Sequence, residues 1–153
     1  MARPVRSEAD LAHARAVRLL AASAKSEGQV RERLARAGFD PGAIDEAVRR
    51  LRASRAINDA DLAARVMEQS RAKHESGALA VKRLAAKGIE AAVSAAGDRK
   101  SARAAAMQAD AKAPIGADVA ARYRRVMTAL ARKGYDEELS LEVAREVVGV
   151  LEE

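Results

Sequence analysis

One short pattern occurs three times in this chain and limits its fold more than any other feature. Leu34-Ala35-Arg36-Ala37-Gly38-Phe39-Asp40 is the first copy. Leu84-Ala85-Ala86-Lys87-Gly88-Ile89-Glu90 is the second, and Leu130-Ala131-Arg132-Lys133-Gly134-Tyr135-Asp136 the third. Glycine at the end of a helical stretch supplies the left-handed residue that stops the helix, and the apolar residue after it folds back on the last turn. The acid that follows is suited to cap the next helix with a side-chain oxygen. Each copy therefore reads as helix, sharp corner, helix. The structural corners are Gly38 and Phe39, Gly88 and Ile89, and Gly134 and Tyr135. A period of nearly fifty residues leaves room for about three helices of ~11–12 residues per repeat. The expected organisation is three tandem three-helix repeats, at residues 1–56, 57–97 and 98–153.

Composition supports this reading. Of 153 residues, 49% are hydrophobic but only 2% aromatic, and there is no Trp. The apolar share is mostly Ala, a strong helix former and a poor filler of volume. Thin, closely packed helices follow from that balance, and three prolines leave little to interrupt them. No segment alternates with period two beside hairpin turns, so no strand is expected.

Local signals place the helices. Ser26 with Gln29 forms a capping box, and the helix to Gly38 sets Val30, Leu34 and Ala37 on one face. Pro41 suits the first turn of the next helix, which carries Ile44, Ala47, Val48 and Leu51 as an apolar stripe. Asn58 or Asp59 caps a helix bearing Leu62 and Val66. Ser76 starts one running to Lys87. Glu90 to Gly97 is the weakest predicted helix. Asp98 opens an Ala-rich helix that Pro114-Ile115-Gly116 ends. Asp118 caps a helix with Val119, Tyr123, Val126, Met127 and Leu130 inward, and Asp136 caps the last one, with Leu139, Val143 and Val147 inward.

Several function classes find no support. The absence of cysteine excludes disulfides, thiolate nucleophiles and Cys-type zinc sites. His13 and His74 are far apart, and neither has a metal-pairing partner one turn away, so both read as structural or solvent-facing. There is no G-x-S-x-G, and the glycines are scattered, not clustered as a phosphate loop. Glu137-Glu138 and Glu152-Glu153 read as helix-start and chain-end charge. No enzyme site, metal or cofactor is expected. No apolar run is long enough to span a membrane, and the polar N-terminus lacks the apolar core of a signal peptide. The cytoplasm is the expected location, and a monomer the expected state.

The informative polar feature is basic charge. Twenty-eight Lys and Arg face 22 Asp and Glu, for a net charge of +6, which favours an anionic partner. Most of the cations are Arg, suited to forked contact with phosphate or carboxylate. The candidates are Arg49, Arg50 and Arg52 in the first repeat, and Arg124, Arg125, Arg132 and Lys133 in the third. The bland alternative is a solvated helix face paired with nearby acids, such as Glu46 with Arg49 or Arg50. No exposed aromatic pattern for stacking bases is present, which argues against a dedicated single-strand reader.

The order of these residues resembles the RecX family. Leu19-Leu20-Ala21, Ser26, Val30, Leu34 and Gly38-Phe39 resemble the family's opening. Leu51 and Ala56-Ile57-Asn58-Asp59-Ala60-Asp61-Leu62-Ala63 resemble its first junction. Gly77, Val81, Leu84 and Lys87-Gly88-Ile89 resemble its middle segment, and Leu130, Lys133-Gly134-Tyr135 and Leu139 its close. Departures occur at Ala22-Ser23, where the family often has a basic pair, and at Gln29, Ala56, Leu62 and Asp136. The resemblance implies tandem three-helix units in an elongated, curved arc. It also implies regulation, usually inhibition, of RecA in DNA repair, homologous recombination and the SOS response, by binding the RecA–DNA filament along its groove or at its end. A rival reading is a general helical DNA-binding or nucleoid-associated protein that uses the same basic faces without RecA.

Overall fold

The computed structural model describes residues 4–150; Glu152 and Glu153 lie outside them. All regular structure among the described residues is helical. In chain order the helices are α1 (Glu8–Ala22), α2 (Glu27–Arg36), α3 (Pro41–Ala53), α4 (Asp59–Ala72), α5 (Gly77–Ala86), α6 (Asp98–Ala111), α7 (Val119–Arg132) and α8 (Glu137–Val148).

The three glycine corners form as expected. Gly38, Gly88 and Gly134 have φ of +89°, +75° and +83°. In each, the next residue's N–H reaches back to the last turn: Phe39 to Leu34 O (3.3 Å), Ile89 to Leu84 O (3.0 Å) and Tyr135 to Leu130 O (3.2 Å). That is the Schellman closure the pattern encodes. The capping box at Ser26 and Gln29 is present, and a second one at Ser7 and Asp10 starts α1. Asp118 and Asp136 accept from Ala121 N and Leu139 N as N-caps.

Three expectations fail. Val119, expected inward at the start of α7, is 51% exposed, because it stands in the first turn, ahead of the buried Val126 and Leu130. Asp40 makes no side-chain cap for α3; its own N–H instead donates to Glu8 Oε1 at 2.9 Å. The Glu90–Gly97 segment is irregular, not helical. Its course explains why. A Cβ on Gly77 would stand 2.1 Å from the Ser94 carbonyl oxygen, so this stretch is threaded against the start of α5 before Asp98 opens α6.

The chain divides into two compact units, Met1–Arg65 with Leu84–Glu90, and Val66–Arg83 with Ala91–Glu153. In the first unit α1 lies chiefly on α3. Its core sets Ala12 and Ala16 of α1 against Val30, Leu34, Ile44, Val48 and Leu51. In the second unit α6 lies on α7 and α8, and Ala102, Ala105 and Ala106 meet Val126, Leu130, Tyr135, Val143 and Val148. The design is the same in both. One helix presents a stripe of alanines, fully or almost fully buried, and branched side chains from the other two helices close over it. Alanine lets helix axes approach closely at little side-chain entropy cost.

A joint recurs within each unit. Ser26 caps α2 and also donates its hydroxyl to the Lys87 carbonyl at the second glycine corner, while Glu27 N–H donates to Asp59 Oδ1 at 2.9 Å. Ser76 caps α5 and donates to the Gly134 carbonyl at 2.7 Å, while Gly77 N–H donates to Asp98 Oδ1 at 3.1 Å. Both serines are buried. Each glycine corner after the first thus receives the cap serine of the preceding repeat, and the acid opening the next repeat receives the neighbouring N–H.

Candidate functional site

The candidate cations fall into two different environments. In the first unit they are neutralised. Arg49 forks onto Glu46 at 2.7 and 2.8 Å. Arg50 bridges Glu46 at 2.9 Å and Asp10 at 2.7 Å, and Arg52 pairs with Glu27. Charge-assisted bonds of this kind favour the ionised carboxylate. Arg50 and then Ser7 pull Asp10 from 3.8 down to about 2. Arg49 and Arg50 pull Glu46 from 4.5 down to about 2. The local-pairing alternative describes this cluster.

In the second unit the cations converge. Arg124, Arg125, Arg132 and Lys133 all line one groove of about 870 Å³, joined by Arg83 of α5 and Lys112 at the end of α6. Ala105, Ala109 and Ala129 line it with small side chains, and Gln108 and Thr128 add neutral polar groups. Six cationic side chains face a single carboxylate, Glu75. Arg124, Thr128 and Arg132 stand four residues apart on α7, one face of a helix that rises 1.5 Å per residue, so the two guanidinium stems are ~12 Å apart along the axis. The opposite face of α7 is buried through Val126 and Leu130, and that burial fixes the direction of the basic stripe.

The six are not equivalent. Arg125 Nε donates to the Ala109 carbonyl at 3.0 Å, closing the end of α6. Lys133 Nζ donates to the Lys73 carbonyl at 2.5 Å, closing the end of α4. Both cations complement the negative pole of a helix C-terminus. Arg83 is held end-on by Glu75, whose Oε1 accepts from Nη2 at 2.9 Å while Oε2 accepts from Nη1. Burial raises the Glu75 pKa, but the Arg83 hydrogen bond and charge outweigh it, and the net shift is downward. Arg124, Arg132 and Lys112 make no ion pair or side-chain hydrogen bond among the described residues. Nearby Arg122 is already satisfied by Asp110 at 2.6 and 2.8 Å.

The sequence pattern located Arg124, Arg125, Arg132 and Lys133 but not Arg83 and Lys112, which reach the groove from helices of their own. The histidines are outside it. His74 occupies a left-handed position (φ +54°), and its carbonyl accepts from Tyr135 OH at 2.6 Å. No group of three or more His, Asp or Glu among the described residues is placed to hold a metal ion, and no described helix is long and apolar enough to cross a membrane. What the groove can do is hold an extended anion by its oxygens.

Fold and groove together define an all-helical protein built from small helical repeats, with a concentrated basic cleft. Comparison with known proteins narrows the class. Residues 12–51 match the family model of RecX, first three-helix domain. The structure is similar to that of RecX from Lactobacillus salivarius, with a TM-score of 0.71 at 14% identity, over 94% of this chain and 98% of that one. It is also similar to a structure described as regulatory protein RecX, with a TM-score of 0.68 at 15% identity, over 89% of this chain and 72% of that one. No curated protein matches the chain in sequence. The chain is therefore RecX-like, in sequence over the first domain and in fold over nearly all its length.

Proposed function

We propose that this protein regulates a RecA-type recombinase filament, as an inhibitor, by laying the basic groove of its third repeat against the filament. The observation that carries this is the convergence of Arg124, Arg132 and Lys112, unpaired, in one groove of a RecX-like fold. Oxygens of the filament's phosphate backbone or of acidic side chains would complete their hydrogen bonding. Arg125 and Lys133 add charge to the same groove while holding helix ends. Arg49, Arg50 and Arg52 serve the first repeat's own stability. The three repeats at 1–56, 57–97 and 98–153 would act as linked modules, each adding a modest contact so that the whole binds more tightly than any part. Such a role needs no cofactor and no catalytic group.

The test is ATP hydrolysis by RecA on single-stranded DNA, titrated with the purified protein. The expected result is a dose-dependent fall in hydrolysis, weakened by the double substitution Arg124→Ala with Arg132→Ala and unaffected by Arg49→Ala. Unchanged hydrolysis at saturating protein, with DNA binding intact, would refute the reading. That outcome favours a general DNA-binding or nucleoid protein, for which the same groove would suffice.

A further inference from the structure

We propose that Glu75 is an internal stand-in for a phosphate: it occupies the fork of Arg83 inside the basic groove and is displaced when a phosphate-bearing polymer binds. This rests on the reading of the groove as an anion site.

Four observations lead there. Among the described residues, Glu75 is the only acid lining the groove. Its two oxygens take both terminal nitrogens of Arg83, the same forked geometry in which arginine takes two oxygens of a phosphate. Arg83 is nonetheless open to solvent, its side chain 41% exposed against 9% for Glu75. Finally, Glu75 also lines a second cavity of about 320 Å³, where the cations Arg71 and Lys100 are close by, and where the other carboxylate, Asp98, already accepts from Gly77 N–H.

The last point makes displacement feasible. A nearly buried carboxylate deprived of its partner would be costly. Glu75 has somewhere to go: rotation about its side-chain bonds takes the carboxylate from the groove into a cavity that holds other cations. The backbone need not move, because Ser76 N–H on the far side of Glu75 also donates to Lys133 O at 3.0 Å. Lys133 Nζ holds the Lys73 carbonyl and Tyr135 OH the His74 carbonyl, so the loop carrying Glu75 is fixed on both sides. A polymer presenting several phosphates can meet Arg124, Arg132 and Lys112 first and then exchange for Glu75 at Arg83. A single phosphate lacks those extra contacts and would compete poorly. Glu75 thereby favours polyanions over small anions.

The experiment is fluorescence anisotropy with a labelled twenty-base-pair DNA duplex over a range of salt. For Glu75→Gln, affinity should rise about 5- to 10-fold near 0.1 M salt with the salt slope little changed, because displacement gives the wild type the same Arg83–phosphate contact. In the Arg83→Ala background, Glu75→Gln should add nothing, because there is no fork left to release. A gain that persists in full in that background would refute the proposal and reduce Glu75 to a distant repulsive charge. No gain from Glu75→Gln would refute it too, while wild-type binding leaves the groove reading intact. Duplex bound by neither wild type nor Glu75→Gln would overturn both. Should Glu75→Gln fold poorly, the wild type answers the question by NMR. Duplex titration must move the Arg83 Nε–Hε resonance, and an unmoved resonance in the bound state would sink the idea.

Discussion

Replacing Gly134 with alanine is the sharpest test of the joint between repeats. Gly134 has φ +83°, and a Cβ there would stand 2.8 Å from both Leu79 Cβ and Ser76 Oγ. Neither atom can yield easily. Leu79 Cβ is tied directly to the backbone of α5. Ser76 is held by three hydrogen bonds: its N–H to Lys133 O at 3.0 Å, its hydroxyl to Gly134 O at 2.7 Å, and Leu79 N–H onto its Oγ at 3.1 Å. The left-handed backbone alone costs an L-residue ~1–2 kcal/mol. Reduced freedom of the unfolded chain returns ~0.4–1 kcal/mol. Overpacking adds ~1–3 kcal/mol. Gly116 is the control, with φ +82° and nothing within 4 Å of a Cβ, so the backbone terms are shared and the overpacking is not. Gly134→Ala should therefore destabilise by ~1–3 kcal/mol more than Gly116→Ala. Urea unfolding followed by tyrosine fluorescence measures it cleanly, because the two tyrosines, Tyr123 and Tyr135, lie in the second unit and there is no Trp. Equal costs for the two substitutions would refute the claim that the corner is a packed joint.

The remaining predictions concern the caps, the cations and pH. Ser26→Ala removes an N-cap and a buried hydrogen bond to Lys87 O and should cost ~1.5–3 kcal/mol in urea unfolding followed by circular dichroism; a loss below ~0.5 kcal/mol would contradict the doubled role of this hydroxyl. Arg124→Ala and Arg132→Ala should each flatten the salt dependence of duplex binding by about 0.9, whereas Arg49→Ala should leave it unchanged. A carboxylate depressed in the folded state contributes stability above its unfolded pKa and loses it as pH falls through the folded one. Asp10 and Glu46, ordinarily 3.8 and 4.5 and held at about 2, should accordingly weaken the first unit between about pH 4.5 and 2, with carboxyl NMR midpoints near 2 that rise in Arg50→Ala. Tyr135 moves the other way. Burial, then the charges of Asp98 and Glu75, raise it from 10.0 to about 12, so its contribution to the second unit is intact below pH 10 and lost between pH 10 and 12. A Tyr135 absorbance midpoint near 10 would contradict this.

What the sequence made legible is what local chemistry decides. A glycine followed by an apolar residue at a helix end can close in only one economical way, and all three copies close in that way. A serine three residues before a glutamine caps a helix regardless of the rest of the fold. Readings that depended on distant partners fared differently. Asp40 reads as a cap, yet its side chain makes no cap hydrogen bond, and the corner is tied instead by Glu8, thirty-two residues earlier, which accepts from the Asp40 N–H. Glu90–Gly97 could have closed a helix by composition, yet the close approach of Ser94 to Gly77 imposes an irregular path. The arginines follow the same logic. Glu46 was visible as a neighbour of Arg49 and Arg50, but Asp10 and Glu27, which complete the neutralisation of that cluster, come from other helices. Along the groove face of α7 no such acids reach Arg124 or Arg132 among the described residues. Arg83 and Lys112 come instead, and the one carboxylate that comes with them is already spent on Arg83. Two arginine clusters that look alike in sequence therefore differ in what they can bind, and the difference lies in which distant acids the fold delivers to each.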